Sequence, residues 1–249
     1  MRKKVLLLSS GMDSVSALFL EKPDYAIFIN YGVKYNDNEQ LHFLNIKKRY
    51  EKNNPNKTKF IILDNKINLA SYEEEDYNLP LRNLYLIMLA TNEVISLEKD
   101  NINGLDIMLI TQKDEMSIPD RTIEFLDKAS DIISFLTGKN IKCYTPFVDI
   151  DKTDILKKVI EKCGKSIGEF VYIFSYSCYG SRECGNCPAC FRKWVAGINN
   201  DFYHNIFEVR PDTSEIAKEY LSKINKYSID RQERIINALQ KAREYYDTN

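Results

Sequence analysis

The 249-residue chain is 44% hydrophobic and 29% charged, a composition that fits an ordinary soluble globular protein of one α/β domain, or of one domain with a smaller appendage. Lys and Arg number 35 against 36 Asp and Glu, so the basic excess of a nucleic-acid-wrapping protein is missing and nucleic acid is not an expected partner. The opening MRKK-VLLL run is too short and too soon broken by Ser, Gly and Asp for a signal peptide, and no apolar run approaches the about 18 residues of a membrane span. A cytoplasmic protein with no membrane partner and reduced thiols is expected.

In chain order, residues 4–8 form a short apolar run ended by turn residues, which reads as a buried strand. A helix follows over 14–21, and YAIFIN at 25–30 is a second strand closed by Tyr31-Gly32. Residues 38–50 carry Leu41, Leu44 and Ile46 at helical spacing. A loop at 53–56 precedes a third strand at 59–63, and an acidic loop at 71–80 precedes a strongly apolar helix at 84–97. DIMLIT at 106–111 is a fourth strand, 122–136 an amphipathic helix and 141–144 a short strand. This alternation predicts an α/β fold with a mostly parallel sheet, helices on both faces and right-handed crossovers.

The segment 173–198 differs, with clustered cysteines and glycines. Beyond it, 212–246 reads as two helices, striped by Ile216, Tyr220, Leu221 and Ile224, then by Ile235, Ile236, Leu239 and Ala242. Such stripes either pack on the parent domain or receive a partner. The expected division is therefore an α/β domain at 1–172, a cysteine-bearing segment packed on it at 173–211 and a helical extension at 212–249, the first two being the nucleotide-binding and zinc-binding parts on the signals that follow.

The first strand leads into its helix through Ser9, Ser10, Gly11, Met12, Asp13 and Ser14. In a parallel sheet such a turn is an anion site: unpaired N–H groups and the helix dipole face a ligand, and small residues let it approach. The G-x-x-x-x-G-K-[ST] and G-x-G-x-x-G patterns are both absent. Asp13 can also be read as a cap of the following helix. The second signal is Cys178, Cys184, Cys187 and Cys190, two C-x-x-C steps sharing Cys187 with a fourth thiol upstream. Four thiolates suit tetrahedral Zn²⁺ in a closed, structural site, and an iron–sulfur cluster is the competing reading. Cys143 and Cys163 stand alone in a strand and a helix and read as buried small apolar residues.

The Ser9–Ser14 loop resembles the S-G-G-x-D-S PP-loop of the ATP pyrophosphatases, with Ser10 in place of the first Gly. Together with Ser177-Cys178-Tyr179 and Cys184-Gly185-Asn186-Cys187-Pro188-Ala189-Cys190, it makes the chain similar to the QueC, or 7-cyano-7-deazaguanine synthase, family. The family's Arg three residues past the last Cys falls at Lys193, beside Arg192. Asn30-Tyr31-Gly32, Leu81-Arg82-Asn83, Pro119-Asp120-Arg121, Thr137-Gly138 and Thr145-Pro146-Phe147 through Lys152 resemble further family segments.

The resemblance implies a PP-loop fold and ligation of 7-carboxy-7-deazaguanine with ammonia, driven by ATP cleavage to AMP and pyrophosphate. The product is an amide, then a nitrile. It implies ATP, Mg²⁺ and Zn²⁺ as cofactors, with Ser9, Ser10, Gly11, Met12, Asp13, Ser14, Arg82 and Asn83 at the nucleotide. Asp13 would hold Mg²⁺ or orient the loop, Lys152 would neutralise phosphate, and Asp120 and Arg121 would sit near the base or its carboxylate. It also implies a homodimer, and the extension offers a site for a protein partner.

The departures are Ser10, the absence of the family's Cys between Asp120 and Arg121, the longer tail, and Tyr35 where the family has His in Y-G-Q-R-H. They leave open a divergent member that stops at the amide or uses another amine, even one on a protein, as in QueC-like proteins of phage and antiviral defence. A tRNA-thiolating enzyme and a non-catalytic zinc module are more distant alternatives.

Overall fold

The structure is a computed structural model and describes residues 1–55, 57–64, 68–74, 79–115, 118–180 and 182–248. Asn56 of the expected loop, 75–78 of the acidic loop, Ser181 of the cysteine segment and Asn249 of the tail therefore lie outside the described residues. The chain divides into two compact units, Met1–Asp151 and Lys152–Asn249.

In the first unit, β1 (Arg2–Leu7), α1 (Met12–Glu21), β2 (Tyr25–Asn30), α2 (Asn36–Asn53), β3 (Lys59–Asp64), α3 (Arg82–Glu98), β4 (Gly104–Met108), α4 (Ile123–Thr137) and β5 (Asn140–Tyr144) follow in order. All five strands are parallel, in the order β3-β2-β1-β4-β5. Val5 of β1 pairs with Tyr25 on one side and Ile107 on the other. Helices cover both faces, which is why β2 is a continuous apolar run rather than an alternating one. On one face Val5, Leu7, Ile27 and Ile107 pack against α3 and α4 through Ile87, Ala90, Leu126 and Ile133. On the other, Phe28 meets Phe43 of α2 with ring centroids 5.6 Å apart, and Phe19 of α1 meets Tyr50 edge-on at 5.2 Å.

Two expectations need correction here. The buried stripe of α2 is Phe43, Ile46 and Tyr50, while Leu41 and Leu44 are 60% and 44% exposed. Aromatic rings fill the gap over β2 and rotate the helix away from the leucines. The fourth strand stops at Met108 instead of running to Thr111. At Thr111 a side chain replaces a strand partner: its N–H donates to Thr145 Oγ1 (3.3 Å), and that hydroxyl donates to the Thr111 carbonyl (2.7 Å).

The second unit contains α5 (Lys152–Cys163), α6 (Lys165–Phe174), α7 (Pro188–Asn199), α8 (Glu215–Ser222) and α9 (Ile229–Thr248). Cys143 is buried in β5 as expected, but Cys163 ends α5 and is partly exposed. α8 buries Ile216, Ala217 and Tyr220, and α9 buries Ile235, Ala238 and Ala242. Leu221 and Ile236 of the expected stripes face outward. Both helices pack on α7. Phe191 and Tyr220 have ring centroids 4.5 Å apart, and Asn199 donates to the Arg234 carbonyl (2.9 Å) and accepts from Asn237 (2.6 Å). Among the described residues, no helix is long and apolar enough to cross a membrane.

Candidate active site and metal centre

The strand order reverses between β1 and β4, and in doubly wound sheets the crevice at that switch point, beyond the carboxyl ends, takes the ligand. The Ser9–Ser14 turn lies there. Gly11 is the N-cap of α1 and supplies no side-chain cap to the first-turn N–H groups, the donors that a helix start offers to an anion. Asp13 sits inside the first turn and is not the capping residue. Ser10 adopts φ 64°, a left-handed conformation that costs an L residue about 1–2 kcal/mol. Its fully buried hydroxyl donates to the Glu39 carbonyl at 2.6 Å, which ties the turn to α2. Ser14 Oγ donates to the Gly11 carbonyl at 2.9 Å and lies 3.3 Å from Ser9 Oγ. The Met12 side chain is fully buried, so only its backbone faces the turn.

Next to the turn is a polar group in which sequence reasoning named Tyr31, Tyr35 and Arg82 but missed Asn36 and Glu39. Asn36 accepts from the Tyr31 N–H (3.0 Å) and donates to Glu39 Oε2 (2.8 Å). Burial pushes the Glu39 carboxyl up to about 8, although Asn36 and Arg82 act against it. Burial also raises Tyr31 and Tyr35. At Arg82 burial opposes the charge, while the acidic groups around it, Asp120 among them, push its pKa up. Asn36 and Glu39 gave no signal of their own, because a single acid or amide inside a helix carries no pattern.

Arg82 opens α3 and donates to Asn83 Oδ1 (3.2 Å), and Asn83 donates to the Asp120 carbonyl (3.0 Å). These expected residues are thus brought together. The Arg121 guanidinium is paired with Glu115 at 2.8 Å, and its carbonyl accepts from Thr111 Oγ1 at 3.2 Å. Gln112, two per cent exposed at the same end of the sheet, was also missed. Lys152 is the first residue of α5, in the second unit.

The four cysteines converge as the spacing predicts. Their sulfurs all lie within 4.8 Å of one another, with Cys178–Cys187 at 4.0 Å and Cys184–Cys190 at 3.9 Å. A tetrahedron with metal–sulfur bonds of about 2.3 Å has edges of about 3.8 Å, so the donor set fits a closed tetrahedral ion. Backbone N–H groups of Gly180, Asn186 and Cys190 point at Cys178, Cys184 and Cys187 (3.3, 3.4 and 3.4 Å). Cys187 caps α7, with Pro188 in the first turn, and the helix N-terminus favours thiolate. Hydrogen bonds from Cys187 and Cys190 push the Cys178 thiol down, and Cys178 in turn pushes both partners up. Gly185 has φ 75°, and a Cβ there would meet the Val209 carbonyl oxygen at 1.7 Å.

Beneath the cluster, fully buried Lys193 donates to the Ser175 carbonyl (2.6 Å) and to Glu183 Oε1 (2.7 Å). The other Glu183 oxygen accepts from Cys190 Sγ at 3.2 Å.

Residues 3–199 match the family model described as "Queuosine biosynthesis protein QueC". A relative in Pyrococcus furiosus named "7-cyano-7-deazaguanine synthase" is 26% identical over 239 residues, covering 80% of this chain and 95% of its own. Relatives of the same name in Methanosarcina mazei and Campylobacter jejuni are 26% and 28% identical, covering 77% and 76% of this chain and 91% and 90% of theirs. With the family match reaching from β1 to the end of α7, the chain belongs to the QueC family.

Proposed function

We propose that the protein is an ATP-dependent C–N ligase that converts 7-carboxy-7-deazaguanine with ammonia to the amide and then to the nitrile, 7-cyano-7-deazaguanine. The observation that carries this reading is the small-residue turn at the start of α1, without a side-chain cap and at the switch point of the sheet, within a chain of this family. A substrate carboxylate oxygen attacks the α-phosphorus of ATP and pyrophosphate leaves. Ammonia then adds at the acyl carbon and AMP leaves, giving the amide. The amide oxygen attacks a second ATP in the same way, and loss of AMP leaves the nitrile.

The turn N–H groups stabilise the growing phosphoryl charge. Ser9 and Ser14 offer hydroxyls, while Ser10 holds the turn against α2. Asp13, in the first turn of α1, is the carboxylate that would hold Mg²⁺ on the phosphates. Arg82 and Asn83 face the nucleotide, Asp120 supports Asn83 through its carbonyl, and Lys152 supplies a compensating charge. Cys178, Cys184, Cys187 and Cys190 would hold Zn²⁺, which leaves no open position for water and serves to fix the segment.

Tyr35 and Ser10 favour a second reading, in which the reaction stops at the amide or a different amine is used. One incubation tests both: ATP, Mg²⁺, ammonium and 7-carboxy-7-deazaguanine, with product mass read for acid, amide or nitrile. Nitrile supports the first reading and amide alone the second. Unchanged acid with intact ATP removes both ammonia-dependent outcomes, and repeating the incubation with a primary amine in place of ammonium tests the other-amine branch.

A further inference from the structure

We propose that Gln112 is the specificity residue that reads the polar edge of the deazaguanine base. The proposal rests on the function proposed above. Gln112 is two per cent exposed, and its Oε1 has no hydrogen-bond partner among the described residues. Leaving a buried acceptor unpaired is unfavourable, so it calls for a partner that the described residues do not supply.

The residue is not held loosely. Its carbonyl accepts from the Glu115 N–H at 2.9 Å. The preceding Thr111 is clamped by Thr145 on both backbone groups and donates its hydroxyl to the Arg121 carbonyl. Its place is also telling. Leu6 of β1 pairs with Met108 of β4, and Ser10 and Gln112 each lie four residues beyond that pair. The phosphate turn and Gln112 therefore leave the same edge of the sheet on the two neighbouring strands of the switch point.

The chemistry of the orphan atom narrows the ligand. A carboxamide oxygen facing a phosphate or carboxylate would be repelled, so this is not a further anion subsite. It needs an N–H donor, and an amide in one plane matches a heterocycle edge that offers donors beside an acceptor. The adenine of a nucleotide offers only its exocyclic amine as donor. The free deazaguanine base offers the ring lactam N–H, the exocyclic amine and the pyrrole N–H. The donor-rich base is the better match.

Calorimetric titration of the metal-loaded full chain tests this. The probes are 7-carboxy-7-deazaguanine and, separately, ATP with a methylene bridge between the α and β phosphates. Gln112→Leu should weaken binding of the acid about tenfold or more and leave the ATP analogue within about twofold. Gln112→Glu, which keeps an acceptor, should bind the acid more tightly than Gln112→Leu. Melting curves accompany each variant, and Gln112→Met replaces Gln112→Leu if the latter does not fold.

Acid binding unchanged in the apolar variant overturns the proposal, and so does selective weakening of the ATP analogue, which would place adenine at this residue. A wild-type chain that binds the ATP analogue but not the acid refutes the substrate itself. That failure is separate from one confined to Gln112.

Discussion

At the residue scale, the charges of Asp13 and Lys152 should govern turnover and burial should govern pH dependence. Asp13→Ala and Lys152→Ala are each expected to lower turnover by about tenfold or more while leaving the melting temperature near wild type, measured as substrate-dependent pyrophosphate release. Near-normal rates in both would place the chemistry elsewhere. Glu39 makes a different forecast. Its carboxyl is raised from an ordinary 4.5 to about 8 by burial, so the folded state holds a proton that the unfolded state has lost. Its contribution to stability is therefore fully present below about pH 4.5 and fades as pH rises toward 8. Glu39→Gln should flatten that decline, read as melting temperature against pH between 5 and 8.5. An unaltered slope would show that Glu39 does not carry the proton.

At the scale of elements, the cysteine segment should depend on its ion and on the charge beneath it. Cys184→Ser should lose the metal and melt at lower temperature, whereas Cys143→Ser, in β5, should keep it. Elemental analysis should find one zinc per chain, and iron with visible absorption would replace the zinc reading by a cluster. Lys193→Ala leaves Glu183 buried against Cys190 without its partner, and a loss of about 3–5 kcal/mol is expected in denaturant unfolding. A loss under about 1 kcal/mol would show that the pair adds little.

The two motifs were legible because short-range chemistry dictates them: C-x-x-C spacing sets sulfur separation, and small residues after an apolar strand mark an anion turn. The Lys193–Glu183 pair was not legible. Both members adjoin the cysteine pattern, Glu183 just before Cys184 and Lys193 three residues past Cys190, but spacing does not say that two such charges meet, and an isolated charge normally reads as surface.

At the scale of the whole molecule, all five strands and their order of helices followed from alternating apolar runs, since a sheet covered on both faces leaves continuous hydrophobic strands. Phase was harder to read. The α2 stripe shifted to Phe43 and Tyr50 because ring volume over β2 decided the rotation, which periodicity alone does not register. The helices α5 and α6 were not delimited in advance, although Ile155, Leu156 and Val159 carry a clear buried face. The tail gave the opposite case. Two helices were expected and are present, and α9 packs on α7 through Ile235, Ala238 and Ala242 instead of being free for assembly along that face. Truncation after Ser228 should therefore lower stability or cause aggregation, followed by light scattering and thermal melting. A truncated chain with unchanged mass and melting would show that this packing contributes little.

The Ser9–Ser14 turn is proposed to direct attack at the α-phosphate of ATP. The most direct test is the identity of the nucleotide product. With ATP, Mg²⁺, ammonium and 7-carboxy-7-deazaguanine, chromatography should show AMP and pyrophosphate forming only when the acid is present, two AMP for each nitrile made. ADP and inorganic phosphate as the acid-dependent products would contradict the account.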